Sequence, residues 1–175
     1  MALSKQISEH EGLLNKWIGG GKKRYTLLYS AADHGCDPTV FHNNCDNKGP
    51  TVTIVYNING NVYGGYARVG WMSGDGQSVY DSDAFLFLLT GAKPCKFTIK
   101  SPEYALIMDA TCGPDFLTFK KAVTKTTEAL PLNSVMSPGT YQISPETVTE
   151  MTGEKFDVEN LVVYAVEGLC NIYYI

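Results

Sequence analysis

The chain has no long apolar run, no Cys-x-x-C pair, no Asn-x-Ser/Thr sequon and no surplus of basic charge. Each absence removes a class of function. A helix that crosses a bilayer needs about 20 consecutive apolar residues, so membrane insertion by a helix is not expected. The stretch Leu3 to Ile18 is too polar for a secretory signal. Five cysteines (Cys36, Cys45, Cys95, Cys112 and Cys170) are odd in number and widely spaced, which favours free thiols in a reducing compartment over a disulfide scaffold. The cytoplasm is the expected location. Lysine and arginine number 14 against 18 aspartates and glutamates, a net charge of −4. The only dense basic runs, Lys22-Lys23-Arg24 and Lys120-Lys121, read as solvated surface rather than the basic face of a nucleic-acid binder.

The chain does hold enough apolar residues for a core. At 175 residues and 44% hydrophobic content it is expected to form one domain over residues 1–175. Residues 1–20 read as an N-terminal helix and linker. Within them, Leu3 to Trp17 is amphipathic, with Ile7, Leu14, Trp17 and Ile18 on one stripe and Ser4 as a cap. Gly19-Gly20-Gly21 ends the helix. Arg24 to Ser30 reads as a strand. Asp37-Pro38 opens a helix to Asn47, with Asp37 capping the first turn and Pro38 at the first helical position. Phe41 and Cys45 share one face of that helix, and Lys48-Gly49-Pro50 stops it.

Thr51 to Ile58 and Asn61 to Val69 flank Asn59-Gly60, a strong hairpin signal. A two-residue turn there predicts Tyr56 opposite Tyr63 and Ile54 opposite Gly65. One face then carries Val52, Ile54, Tyr56, Ile58, Tyr63, Ala67 and Val69, and this is the better candidate for the core. Gly64 and Gly65 inside a strand predict a bulge or the close approach of another element.

Further on, Ser73 to Gln77 reads as a flexible turn. Ala84 to Leu89 is a short apolar run, expected to be a strand covered on both faces. Lys96–Lys100 and Tyr104–Asp109 read as strands, and residues 118–140 as a long surface loop. Glu159–Glu167 and Leu169–Ile175 read as closing strands separated by Gly168. The expected class is mainly β (α+β), a two-sheet antiparallel β-sandwich flanked by short helices.

Four constellations invite a chemical reading. Gly19-Gly20-Gly21-Lys22-Lys23 has the glycines and lysine of a phosphate loop. It lies after a helix and before a strand, and Lys23 stands where a hydroxyl is needed, so no nucleotide site is expected. His34, Cys36, His42 and Cys45 form an H-x-C-x5-H-x2-C pattern of capable zinc ligands. The competing reading places Cys45 beside Phe41 in the core. Cys36 near two histidines lacks the further parts of a nucleophilic site. Asp81 and Asp83 fit a turn before a buried strand. No catalytic residue, cofactor or metal is therefore assigned.

Several short motifs, in order, resemble the TLDc domain shared by the oxidation-resistance proteins. They are Leu28-Tyr29-Ser30, Cys45-Asp46 with Lys48-Gly49-Pro50-Thr51, Gly64-Gly65-Tyr66, Asp83-Ala84-Phe85-Leu86-Phe87, Gly113-Pro114, and the closing Glu154 to Leu161 with Val163-Tyr164. The resemblance runs from about Tyr25 to Glu167 and departs after Gly113-Pro114, where Asp115-Phe116-Leu117 replaces a glycine-rich loop. The N-terminal helix, Gly-Gly-Lys, Leu-Leu-Tyr and His34-Gly35 resemble the opening of the interferon-induced protein 44-like proteins.

The resemblance implies a non-catalytic protein-interaction domain acting in innate immune and antiviral defence. It implies a protein partner, for which the vacuolar proton ATPase bound by several TLDc proteins is one alternative. Oxidative-stress protection is another. GTP would be bound only through a downstream domain that this sequence does not contain; an excised fragment and a short natural chain both stay open. Family motif positions point to Asp33, His34, Gly64, Gly65, Asp83, Gly113 and Pro114 as interaction residues.

Overall fold

The computed structural model describes residues 7–116, 130–131, 139–152 and 157–169. Two antiparallel sheets and short helices form a mixed α+β fold. The large sheet has seven strands: β1 (Lys23–Ser30), β2 (Thr51–Asn57), β3 (Val62–Ala67), β5 (Phe85–Leu88), β6 (Cys95–Thr98), β8 (Leu130–Pro131) and β9 (Asp157–Gly168). Its order is β1-β9-β2-β3-β5-β6, with β8 also on β9. The small sheet pairs β4 (Asp75–Val79) with β7 (Leu106–Asp109). The helices are α1 (Glu11–Ile18), α2 (Ala31–His34), α3 (Pro38–Cys45) and α4 (Pro145–Thr152), with a 3-10 turn at Pro102–Tyr104.

Both faces of the large sheet are covered, and strand alternation assigns each side chain to one of two cores. On β5, Leu86 and Leu88 enter the first core while Phe85 and Phe87 enter the second. On β2, Val55 faces the first, and Val52, Ile54 and Tyr56 the second. The first core also holds Phe41 and Cys45 of α3, Leu106 and Met108 of β7, Trp71 and Phe116. The second is closed by Ile7 and by Leu14 of α1, with Leu13, Trp17 and Ile18 packed against it. A sheet buried on both faces reads as near-continuous apolar strands, and β2 and β5 are buried at every position.

The hairpin differs from the two-residue expectation. Tyr56 pairs with Val62, Ile54 with Gly64 and Val52 with Tyr66, a shift of one residue. A two-residue Asn-Gly turn of the expected kind needs positive φ at both residues. Gly60 has φ 85°, but Asn59 is not among the positive-φ residues. Gly60 N–H donates instead to the Asn57 carbonyl, and Asn57 N–H to the Asn61 carbonyl. The result is a three-residue loop with glycine in the left-handed position. Ile58 moves to the loop tip, 63% exposed, rather than into a core. Tyr63 and Ala67 join Val55 on the face opposite Val52, Ile54 and Tyr56. The strand pair is thus buried on both sides, not on one preferred face.

Other boundaries shift too. The N-terminal helix does not run unbroken through Trp17: the Ile7 carbonyl accepts from His10 N–H in a turn, and α1 begins at Glu11. Residues 3–6 lie outside the described residues. The helix begun by Pro38 ends at Cys45, two residues early, because Asp46 turns to extended backbone and Asn47 takes φ 58°. Asp37 accepts from Thr39 N–H at 2.9 Å, as the cap requires. Part of the expected flexible turn at Ser73–Gln77 is strand β4, whose exposed polar residues carry no apolar alternation. Gly168 ends β9 rather than separating two described strands, and 170–175 lie outside the described residues. Most of 118–140 also lies outside them. Asp81 and Asp83 do form the turn before β5: buried Asp81 accepts from the N–H groups of Arg68, Val69 and Asp83.

Candidate functional site

The singled-out residues do not converge on one site. Asp33 and His34 lie on exposed α2. His34 Nδ1 accepts from Ser30 N–H at 3.0 Å, and the following Gly35 carbonyl accepts from the Tyr29 hydroxyl at 2.6 Å. Asn160 of β9 ties down the start of α2, accepting from Ala32 N–H at 3.0 Å. Gly64 and Gly65 are buried in mid-sheet. A Cβ on Gly64 would strike the Thr53 carbonyl, and one on Gly65 would lie 2.7 Å from the Phe116 ring. The close approach expected at this pair is therefore real. Gly113 and Pro114 are buried just before Phe116. Asp83 is exposed and paired with the Arg68 guanidinium.

The four candidate zinc ligands are engaged elsewhere. Buried His42 has Nδ1 at 2.7 Å from the Asp46 carboxylate, and its Nε2 faces the carbonyls of Asp109 and Cys112 at 2.9 and 3.0 Å. Carbonyls only accept, so Nε2 carries a proton, and neither nitrogen is left for a metal. The ring clamps α3 to the segment after β7. Asp46 also accepts from Ser73 N–H and hydroxyl. Cys45 is fully buried against Phe41, and burial pushes its thiol up to about 12. Burial also raises the Cys36 thiol. Among the described residues no group of three or more His, Cys, Asp and Glu side chains is placed to hold a metal ion.

The phosphate-loop look-alike is a helix stop. Gly19, Gly20 and Gly21 take φ of 79°, 69° and 82°, and Gly19 N–H returns to the Asn15 carbonyl. Asn15 Oδ1 then accepts from Lys23 N–H at 3.2 Å and the Tyr25 hydroxyl at 2.9 Å, fixing the helix end to β1.

This junction borders a surface cleft of about 300 Å³. Trp17 to Gly20 form one wall, and Lys23, Tyr66, Arg68, Asp83, Phe85 and Lys96 complete it. Tyr66 and Phe85 stack at 5.1 Å between centroids. The Lys96 ammonium sits 4.2 Å above the Phe85 ring and donates to the Trp17 carbonyl at 2.8 Å. Lys23 donates to the Gly20 carbonyl at 3.2 Å. Partial burial lowers the Lys96 ammonium, with Asp83 opposing the shift. Of the cleft's residues, sequence reasoning had singled out only Asp83 for interaction. The others come from α1 and the two glycines after it, β1, β3 and Arg68 just past it, β5 and β6, and no local pattern marks them as a set.

The TLDc domain model matches residues 6–166. Interferon-induced protein 44 of Homo sapiens is 33% identical over 104 residues, covering 58% of this chain and 22% of that protein. Interferon-induced protein 44 of Pan troglodytes is 39% identical over 62 residues, covering 35% of this chain and 13% of that protein. The aligned stretches thus span less than a quarter of either relative.

Proposed function

The chain belongs to the TLDc domain family, and on that premise we propose that it is a non-catalytic protein-interaction domain of an interferon-induced protein 44-like protein, acting in innate immune defence. The observation that carries this reading is the family match over residues 6–166, joined to similarity with interferon-induced protein 44 in two primates. The local chemistry supports it. The histidines and cysteines that could have formed a reactive cluster serve packing and backbone hydrogen bonds instead. The two described thiols whose titration shifts move upward, away from the thiolate that peroxide chemistry needs.

The test is affinity capture of the tagged chain from interferon-stimulated cells, with the captured proteins identified and vacuolar proton ATPase subunits scored. A reproducible protein partner supports the interaction reading, and pump subunits among the partners name the alternative. Absence of any specific partner overturns it, and turnover of GTP or peroxide by the purified chain overturns its non-catalytic part.

A further inference from the structure

We propose that the cleft at the C-terminal end of α1 receives an acidic peptide segment of a protein partner, its carboxylate held by Lys23 and Lys96 and a neighbouring apolar side chain set against Trp17. This rests on the interaction reading above and gives that reading a surface and a ligand chemistry.

Charge is the first support. Among the described residues, Lys23, Arg68 and Lys96 line the cleft against one carboxylate, Asp83, although the whole chain carries a net charge of −4. Asp83 is already paired with Arg68. Among the described residues, the hydrogen-bonding partners of the two lysine ammoniums are neutral carbonyls, Gly20 for Lys23 and Trp17 for Lys96. An ammonium has three donors, so each keeps donors for a carboxylate. Lys96 is also partly desolvated over the Phe85 ring, where an opposite charge is felt more strongly than in open water.

The walls select the rest of the ligand. Trp17 is partly exposed at the rim, and the stacked Tyr66 and Phe85 form an apolar floor. An acidic residue beside an apolar one matches that pairing of charge and aromatic surface. A phosphate fits less well. It has no apolar group to set against Trp17, and the partial negative charge of the helix C-terminus at this cleft opposes its double charge more than a single carboxylate. Gly19 N–H, which could have bound an anion, already donates to the Asn15 carbonyl. The size agrees too: about 300 Å³ lies at the small end of ligand sites and holds one or two side chains, not a folded surface.

Trp17 supplies the readout. The chain has two tryptophans, and Trp71 is 1% exposed in the first core. A change in indole emission on binding therefore reports on Trp17, and Trp17→Phe should abolish the signal. The probe is a short peptide of alternating Glu and Leu, compared with its Gln–Leu and Lys–Leu counterparts and with inorganic phosphate. The Glu–Leu peptide should bind saturably, more weakly as salt rises, and the other three should not compete. Lys23→Glu combined with Lys96→Glu should weaken binding by about tenfold, the product of two surface ion pairs, in a variant that still folds. If the double reversal does not fold, Lys23→Gln and Lys96→Gln are each expected to weaken binding severalfold.

Equal binding of the Gln–Leu peptide, unchanged affinity in a folded variant, or displacement by phosphate overturns the proposal. So does a concentration-dependent dimer that the charge reversal dissolves, since the occupant is then a second copy. Capture from stimulated cells with wild type and the reversal variant separates the two levels. If both retain the same partners, the cleft is wrong and the interaction reading stands. If wild type captures no specific partner, the interaction reading itself fails.

Discussion

Gly64 and Gly65 are where a single atom decides the fold. Both sit in β3 with no room for a side chain, but the obstacles differ. At Gly64 a methyl meets the Thr53 carbonyl, which the β2–β3 ladder holds in place. At Gly65 it meets the Phe116 ring, which can shift. Gly64→Ala is therefore expected to cost more than Gly65→Ala, with overpacking of this kind typically worth about 1–3 kcal/mol. Chemical denaturation of both variants gives the order, and equal midpoints would contradict it. Cys45 offers a second residue-scale test. Its thiol is raised by burial first, then by Asp46. A group whose folded pKa lies above its unfolded value keeps its stabilising contribution below the unfolded pKa and loses it as pH rises. For Cys45 that window runs from the thiol's ordinary value of 9.0 up to about 12. Stability should thus fall as pH rises above 9.0, and less steeply in Cys45→Ala once its cavity cost is subtracted at neutral pH. At neutral pH, iodoacetamide should label Cys45 only after unfolding, read by mass spectrometry. The sequence already marked the glycine pair as either a bulge or a close approach, and it favoured packing of Cys45 beside Phe41 over a metal site. It could not tell that Phe116 is the approaching group, because that contact joins residues 51 positions apart.

Among the elements, β5 is one whose type and burial were legible in advance, to within a residue at each end. Six consecutive apolar residues, Ala84 to Leu89, bounded by Asp83 and Thr90 leave little choice except a strand covered on both faces, and β5 takes the central four. Its alternation gives a discriminating experiment, since Phe87 is buried in the α1-side core and Leu86 in the α3-side core. Truncation to Ala should cost about 3–5 kcal/mol for Phe85 or Phe87, and about 2–5 for Leu86. A domain of this size commonly has only about 5–15 kcal/mol of stability, so each variant should melt well below wild type. Wild-type midpoints for Phe87→Ala would remove β5 from the centre of the fold. The β2–β3 hairpin shows where element-scale legibility stops. Asn59-Gly60 located the turn, but the same dipeptide serves two-residue and three-residue loops, and the choice moves the register by one. With apolar residues on both faces, alternation could not arbitrate: Val52, Ile54 and Tyr56 are buried, and so are Thr51, Thr53 and Val55. On β9 a bulge hides the pattern further. Tyr56 pairs with Asn160 and Asn57 with Val158, so exposed Glu159 is skipped and the faces exchange.

At the scale of the molecule, two cores share one sheet, and the candidate cleft lies where one of them reaches the surface. Its aromatic floor belongs to the α1-side core, whereas its cations come from the edge strands β1 and β6 and from Arg68, just past the end of β3. Family resemblance could carry the fold class from the sequence, but this assembly depends on long-range pairing that no local spacing encodes. The shared sheet makes a prediction about cooperativity. Leu14 of α1 closes one core and Met108 of β7 helps close the other, and both are fully buried. If the cores were separate units, Leu14→Ala would lower one transition and leave the other in place. The strands argue against that, because β2, β3, β5 and β9 send alternate side chains into both cores, so losing either face removes support from the same backbone ladder. Each variant should therefore shift a single transition, by about 2–5 kcal/mol for loss of a buried Leu or Met. Far-ultraviolet dichroism and Trp71 emission, read in a Trp17→Phe background, should move together. The double variant should lose close to the sum of the two single losses, since sites on opposite faces with no shared partner add to within about 0.5 kcal/mol. A biphasic melt in Leu14→Ala, with Trp71 emission keeping its wild-type midpoint, would mean that the α1 side unfolds alone.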